Sequence, residues 1–407
     1  METPLDALRE IETLVAHGGR WSGTEAEHQA ARHLAERLRS LGRDAELEPI
    51  EVRPDYGLTH ALGGLVGMLG SLLSPSRPRL GLGALAVAVA STYGDLTTRF
   101  HLFRRLTRRV RSQNVVSRES SGKLGTLVLV AHYDTARTGW VFDPKAMEQQ
   151  ARLGRRLGRE IGPFEPFVWV LFGALGLAGL RAVGLRSKGL TAAQQAPVPI
   201  LAGTVALLLQ TRRAEVVPGA NDNASGVATV LRLAERFGGQ LRNYDVWVLL
   251  TSAEEGLLLG MREWLRAHRH ELDPDRTVFL NVDIAGYGTV RYTTKEGFAF
   301  PVRYSGELIE LCEEIRAEDR EDRFGARPMV SRLATDACVA ALHRYRAIQI
   351  SCLPELNVAP HYHQPTDTPD RLQPEALERA YEFCSQLVER IDKRLVVRER
   401  AGDHRST

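Results

Sequence analysis

Two textures of hydrophobic and polar positions alternate along this chain. In the first, apolar residues recur at helical spacing. Residues 4–17 and 24–41 have this period, with Ala30, Leu34 and Leu38 on one face, and residues 224–237 and 374–393 repeat it. Between them lie short apolar runs: "AELEPIEV" alternates like a strand, while "TLVLVA" (126–131), "DVWVLL" (245–250), "VFLNV" (278–282) and "AIQIS" (347–351) are almost unbroken. Unbroken runs suit strands covered on both faces. Strands alternating with helices predict an α/β fold, a mixed central sheet with helices on both faces.

The second texture is apolar and glycine-rich, and it interrupts the first twice. Residues 57–73 and 80–94 flank the turn "SPSRPR"; residues 163–180 and 191–211 flank "RAVGLRSKG". Each pair reads as a helical hairpin of near-bilayer length, since about 20 apolar residues span the hydrocarbon. Gly63 and Gly67, and Ala174 and Ala178, are small pairs that permit close helix packing. Arginines flank the hairpins: Arg99, Arg104, Arg105, Arg108, Arg109 and Arg111 after the first, Arg152, Arg155, Arg156 and Arg159 before the second, and Arg212 and Arg213 after it. The tips carry fewer bases, Arg77 and Arg79 in one, Arg186 and Lys188 in the other, with Arg181 near the second. Positive flanks stay cytoplasmic. The expectation is a membrane-associated protein, held to the bilayer by the apolar hairpins, with its soluble part facing the cytoplasm. The competing reading is a helical cap buried in protein.

The organisation that follows is a discontinuous soluble domain over 1–56, 112–137 and 214–407. It is interrupted by a first hairpin with a basic flank (57–111) and a second hairpin insertion (138–213). The 407 residues, 43% of them hydrophobic, can bury a substantial core without staples. A net charge of +3 argues against a general nucleic-acid binder. The four cysteines form no Cys-x-x-Cys pair, which suits a reducing compartment and speaks against a thiolate metal site. The charged, amphipathic start "METPLDALREIETL" lacks the apolar core of a secretory signal.

The chemistry-bearing residues gather at strand ends. His132 and Asp134 follow one strand, Glu254 and Glu255 the next, and Asp283 another. His361 and His363 come after the last, and Asp222 sits in the polar turn "PGANDNASG" that opens a helix. In α/β sheets ligands bind at the C-terminal edge of the strands. Imidazole and carboxylate together suit zinc. Two zinc ions need a bridging carboxylate, further ligands on each, and a spare acid to take a proton from water. One of the adjacent glutamates can be that spare. Taken singly, Asp222 would be a helix N-cap and Glu254 a surface acid; it is their joint placement that argues otherwise.

These stretches resemble the co-catalytic di-zinc aminopeptidase family, whose relatives include bacterial leucyl aminopeptidases, glutamate carboxypeptidase and glutaminyl cyclase. The matching segments are "AHYDT", "GANDNASG", "SAEEGLLLG", "NVDIAG", "RLATDA" and "HYHQPTDTPDRL", in the family's order; family-like sequence also covers 4–56 and "QNVV" at 113–116. The resemblance implies a metallopeptidase with two Zn²⁺ ions per chain, acting on peptide substrates through a metal-bridged hydroxide. His132 and Asp283 would bind one ion, Glu255 and His363 the other, and Asp222 both. Glu254 would be the general base, and Asp134 would fix the tautomer of His132. His363 is favoured over His361 by the family's His-x-x-x-Asp-Thr pattern, matched by His363, Asp367 and Thr368. Gln364 departs from the family's usual Thr. Thr335 and Asp336 read as structural residues of the active-site wall. The alternatives are a glutaminyl cyclase or other amidohydrolase on the same scaffold, and a non-catalytic membrane scaffold. One departure is large: nearly ninety residues separate His132 from Asp222, and most of the excess is the second hairpin. Both ends of that insertion must emerge near the metal rim, which would bring the site close to the membrane surface.

Overall fold

In the computed structural model, which describes residues 6–394, nine strands form a single sheet among the described residues. They are β1 (Glu46–Val52), β2 (Val110–Ser117), β3 (Gly125–His132), β4 (Tyr244–Thr251), β5 (Thr277–Val282), β6 (Thr289–Glu296), β7 (Val302–Arg303), β8 (Arg327–Ser331) and β9 (Arg346–Leu353). The order is β1-β2-β4-β3-β5-β9-β6-β7, with β8 pairing β6. The centre, β4-β3-β5-β9, is parallel, while β2 and β1 run antiparallel to their neighbours and β6 is antiparallel to β9 and β7 but parallel to β8. Helices cover both faces, giving the mixed α/β architecture that the periodicity predicts.

The unbroken apolar runs are the central strands: residues 127–132 of β3 and all of β5 are buried. The alternating run is the edge strand β1, where Pro49, which has no N–H to give, is tolerated. The helices predicted at 24–41, 224–237 and 374–393 are Glu25–Ser40, Ser225–Phe237 and Pro374–Arg394. That predicted at 4–17 is Ala7–Ala16, its first two positions lying outside the described residues. β2, β6, β7 and β8 carry no periodicity strong enough to read from sequence. β6, for instance, is "TVRYTTKE", polar at most positions and ordered by β9 and β8 on its two sides.

The two hairpins do not stand apart. Helices Tyr56–Leu73 and Pro78–Leu96 form the first, and Glu165–Ala182 and Pro197–Arg213 the second. Tyr56–Leu73 packs on Pro197–Arg213, and Pro78–Leu96 packs on Glu165–Ala182, so the two insertions close into one four-helix bundle. Its interior is built of Leu85, Ala88, Phe167, Leu171, Ala174 and Leu201. Small residues set the crossings. A Cβ on Gly81 would lie 2.7 Å from the Gly70 carbonyl oxygen and 2.6 Å from Ser74 Cα, so the first hairpin closes only with glycine there. Gly67 makes room for Leu171 and Leu201, and Ala174 and Ala178 pack around Leu85.

The outside of the bundle is apolar as well. Leu69 and Leu72 are each 52% exposed, Leu80 57%, Trp169 50% and Ile200 51%. Among the described residues, three segments are long and apolar enough to cross a membrane: Tyr56–Leu73, Glu165–Ala182 and the run Lys188–Arg213. Pro78–Leu96 does not reach that mark. At 1.5 Å per residue an 18-residue helix is about 27 Å long.

One flanking arginine departs from the basic-belt reading. Arg104 is 2% exposed and forks onto both oxygens of Asp95 at 2.7 Å, while giving a third hydrogen bond to the Arg53 carbonyl. Asp95 also meets His101 at 2.6 Å and His60 at 3.2 Å. This buried cluster clamps the base of the first hairpin, so Arg104 is not available to a lipid headgroup. Its partner, nine residues back in an apolar helix, gave no sign of the pairing in sequence.

Candidate metal centre

Because β4, β3, β5 and β9 are parallel, their C-terminal ends share one edge of the sheet. His132 closes β3, Asp283 follows β5 directly, and Glu254 and Glu255 lie three and four residues beyond β4. His363 arrives on the loop after β9. Asp222 sits in the tight turn Ala220–Ala224 that leads into helix Ser225–Phe237. All six are at most 9% exposed and line one cavity of about 180 Å³.

The donor atoms fall into two groups that share Asp222. Its Oδ1 lies 3.2 Å from His132 Nε2, which is 3.4 Å from Asp283 Oδ1. Its Oδ2 lies 3.2 Å from His363 Nε2, which is 3.2 Å from Glu255 Oε2. Glu254 stands further off, with Oε2 4.0 Å from His132 Nε2. His132, Asp222 and Glu255 present ligand atoms all within 4.8 Å of one another.

This set fits a cation. Four carboxylates and two imidazoles converge in a buried space, yet His363 Nε2, Glu255 Oε1 and Asp283 Oδ1 make no hydrogen bond. Lone pairs facing one another without protons between them are costly unless a positive charge joins them. The titration tendencies agree. Burial pushes the Glu255 carboxyl up to about 7, with Asp222 adding to the rise and His363 opposing it. Burial also holds Glu254 well above the usual carboxylate range, its neighbours Glu255, Asp336 and Asp283 adding to the effect against His132. A cation removes that repulsion.

A supporting layer fixes the donors. His132 Nδ1 lies 3.1 Å from the main-chain oxygen of Asp134 and 3.6 Å from its carboxylate. The Asp134 carboxylate itself accepts from the backbone N–H groups of Glu254 (3.2 Å) and Glu255 (3.3 Å), and so ties two strand ends together. Asp367 accepts from the N–H groups of Asn221 (2.8 Å) and Asp222 (3.1 Å). His361 turns away, with Nδ1 2.8 Å from the Thr366 hydroxyl. Asp336 is buried and takes the Thr251 hydroxyl, in keeping with a structural wall residue.

Sequence reasoning missed several contributors. Phe142, from the second insertion, sets its ring edge-on to His363 at 4.3 Å, and Tyr362 stacks on His363 at 3.9 Å while meeting Phe142 at 5.8 Å. Gln364 Nε2 donates to the Phe142 carbonyl at 2.7 Å, so the position that departs from the family pattern ties the insertion to the His363 loop. Arg20 is fully buried and braces the turn before Asp222. Glu296, at the end of β6, lines the cavity. Tyr362 and Gln364 lie inside the matched stretch "HYHQPTDTPDRL" and Arg20 inside the family-like 4–56, yet neither stretch gave a sign of these contacts; Phe142 and Glu296 lie in no motif. Only the isolated Phe142, flanked by Trp140 and Val141 outside any predicted span, offered a signal.

Residues 206–388 match the sequence model of peptidase family M28. No curated protein matches the chain's sequence. Among solved structures it is similar to a Zn-dependent exopeptidase from Parabacteroides distasonis, with 12% identity over 96% of this chain and 99% of that one, at a TM-score of 0.54. An aminopeptidase from an Aneurinibacillus species shares 14% identity over 95% and 94% of the two chains, TM-score 0.55. A Tannerella forsythia glutaminyl cyclase shares 14% over 95% and 99%, TM-score 0.55. At such identities the likeness is one of fold. The family match and the fold together bear out the resemblance read from the motifs: residues 206–388 match peptidase family M28, the fold is that of the zinc exopeptidases, and the protein is a zinc-dependent hydrolase.

Proposed function

We propose that this protein is a membrane-associated di-zinc aminopeptidase with its catalytic domain facing the cytoplasm. The observation that carries the reading is the division of donors into two groups joined by the two oxygens of Asp222, with Glu254 left outside both. His132 and Asp283 would hold one zinc ion, His363 and Glu255 the other, and Asp222 would serve both. Bound there, zinc would supply Lewis-acid polarisation of the peptide carbonyl and make water more acidic. Glu254 takes the proton from the attacking water and delivers it to the leaving amine. Its raised proton affinity suits a group that must hold a proton between those two events. Asp134, by accepting from the amides of both glutamates, positions base and ligand on one rigid turn.

The membrane half of the proposal is supported by the exposed apolar residues outside the bundle and by the exposed arginines at its base, Arg105, Arg108, Arg109, Arg155, Arg212 and Arg213. The base also borders the site. Tyr56, which opens the first bundle helix, and Phe164, which immediately precedes the third, both line the cavity. Their placement supports short or membrane-proximal peptides as substrates.

The test is hydrolysis of aminoacyl anilides by the zinc-loaded protein, run beside cyclisation of an N-terminal glutamine peptide, with Glu254→Gln as control. Anilide cleavage that disappears in the variant while two zinc ions per chain remain is the expected result. Cyclisation alone would move the assignment to a cyclase, and undiminished cleavage by the variant would remove Glu254 from the mechanism.

A further inference from the structure

The cavity has a polar inner wall beyond the metal donors. Glu296, the last residue of β6, is 1% exposed and lines it. Its Oε2 accepts from the hydroxyl groups of Tyr304 and, at 3.1 Å, Thr335. Its Oε1 has no hydrogen-bond partner, and among the described residues no basic side chain pairs with it. Thr293, three residues earlier on the same strand, is 0% exposed and lines the same cavity, and its hydroxyl is likewise unpartnered. The same cavity is also lined by the apolar Phe298, Met329, Leu333 and Leu353, beside the polar Gln349 and Arg332.

A buried carboxylate without a countercharge is costly, and here burial and the nearby Asp283 both disfavour its ionised form. Such a group is retained where something outside the chain completes it. The Tyr304 and Thr335 hydroxyls fix one oxygen and aim the other. An ammonium group brings the missing charge and has three donors, enough for Oε1 of Glu296, Oγ1 of Thr293 and one more acceptor. The apolar part of the lining suits the hydrocarbon that carries it.

We propose that Glu296, with Thr293, is the anchor for a substrate ammonium group: either the free α-amino terminus or the side chain of an N-terminal lysine. This rests on the peptidase reading above and adds to it the feature of the substrate that is recognised. Holding the α-amino terminus, the anchor would select a charged end that an internal peptide segment lacks; holding a lysine side chain, it would set side-chain preference.

The experiment uses full-length, zinc-loaded protein and the variants Glu296→Gln and Thr293→Val. Three substrates are compared: leucyl anilide, lysyl anilide, and the leucyl analogue in which a hydroxyl replaces the α-amino group. Glu296→Gln is expected to lower kcat/KM for the amine-bearing substrates by about 100-fold, mainly through KM, and to leave the hydroxy analogue unchanged. Thr293→Val is expected to shift the same substrates in the same direction, by about tenfold. Equal losses for leucyl and lysyl anilides assign the anchor to the α-amino group; loss for the lysyl substrate alone assigns it to the side chain. Equal loss for all three substrates, or no loss for any, overturns the proposal. If the wild-type protein cleaves none of them, the peptidase reading fails by itself. Calorimetric titration with n-butylammonium against n-butanol then decides the anchor. Ammonium binding weakened at least about tenfold by Glu296→Gln supports it, and binding unchanged by the substitution overturns it.

Discussion

Arg20 is fully buried, and its guanidinium is spent entirely on main-chain carbonyls. Nε donates to Tyr133 (2.8 Å), Nη1 to Leu14 (3.2 Å), Gly18 (3.5 Å) and Pro218 (2.9 Å), and Nη2 to Gly219 (3.0 Å). Burial lowers its pKa to about 10 against the pull of Asp367, Asp134 and Asp222, so it remains charged at neutral pH. Pro218 and Gly219 lead directly into the turn that presents Asp222. Arg20→Met keeps most of the volume and removes all five bonds. The two on the Asp222 segment are charge-assisted, each contributing about 1.5–3 kcal/mol, and some of that returns as the turn relaxes or admits water. A local loss of about 3 kcal/mol makes opening of the segment about 100-fold more frequent. Amide hydrogen exchange over residues 219–225 should accelerate by that factor, and zinc affinity measured by chelator competition should fall at least about tenfold. Arg20→Lys should behave almost as badly, because a single ammonium cannot reach carbonyls arranged around a fork. Exchange in this segment within about threefold of the wild type, with zinc retention intact, would refute the bracing role.

Three further outcomes follow from the same structure. In the metal-free site burial disfavours the charged form of His363, but Glu255 and Asp222 outweigh it and hold the imidazole up at about 10. The site therefore keeps protons at pH 7 that zinc must displace, so affinity should fall as pH drops, and calorimetry in buffers of different ionisation enthalpy should show proton release; buffer-independent heats would contradict this. Far from the site, burial raises Glu119, but Lys123 and the N–H groups of Gly239 and Val246 win and bring its carboxyl down to about 2. A depressed carboxylate stabilises the fold above its unfolded pKa near 4.5, and that stability is lost as pH falls towards 2. Solvent screening trims the linkage to about 2 kcal/mol. Glu119→Gln should cost about that much at pH 7 and flatten the acid limb of a denaturation series; an unchanged limb would count against the pairing. Finally, Leu69→Glu with Leu72→Glu places two charges on the apolar exterior of the bundle. Each costs roughly 2.5–3.5 kcal/mol in lipid and little in water, so the variant should leave the vesicle fraction, whereas a helical cap buried in protein would leave partitioning unaltered.

Much of this protein was legible in its sequence because the signals are local. Strands β3, β4, β5 and β9 declare themselves as unbroken apolar runs, since a parallel sheet covered on both faces tolerates no polar alternation. The helices on either side have one apolar face, and the donors sit in short polar stretches at the strand ends. The hairpins are equally plain, because a segment apolar on every face differs in composition from one that is half exposed.

What the sequence could not decide was pairing over distance. The two insertions read as separate hairpins, yet they close on one another, because Gly64, Gly67 and Gly81 leave room that only helices far along the chain, or the returning strand of the hairpin, fill. Asp95 and Arg104 look like a stray acid and one more basic flank until the fold buries them against each other. Glu296 sits in a polar strand of weak periodicity. Its meaning depends on Tyr304 and Thr335 taking one oxygen and the cavity leaving the other free. Local periodicity and composition are set by the solvent that each segment faces, so they can be read one segment at a time. Whether a buried charge is paired, braced or left open depends on which side chains arrive from elsewhere, and only the packed structure decides that.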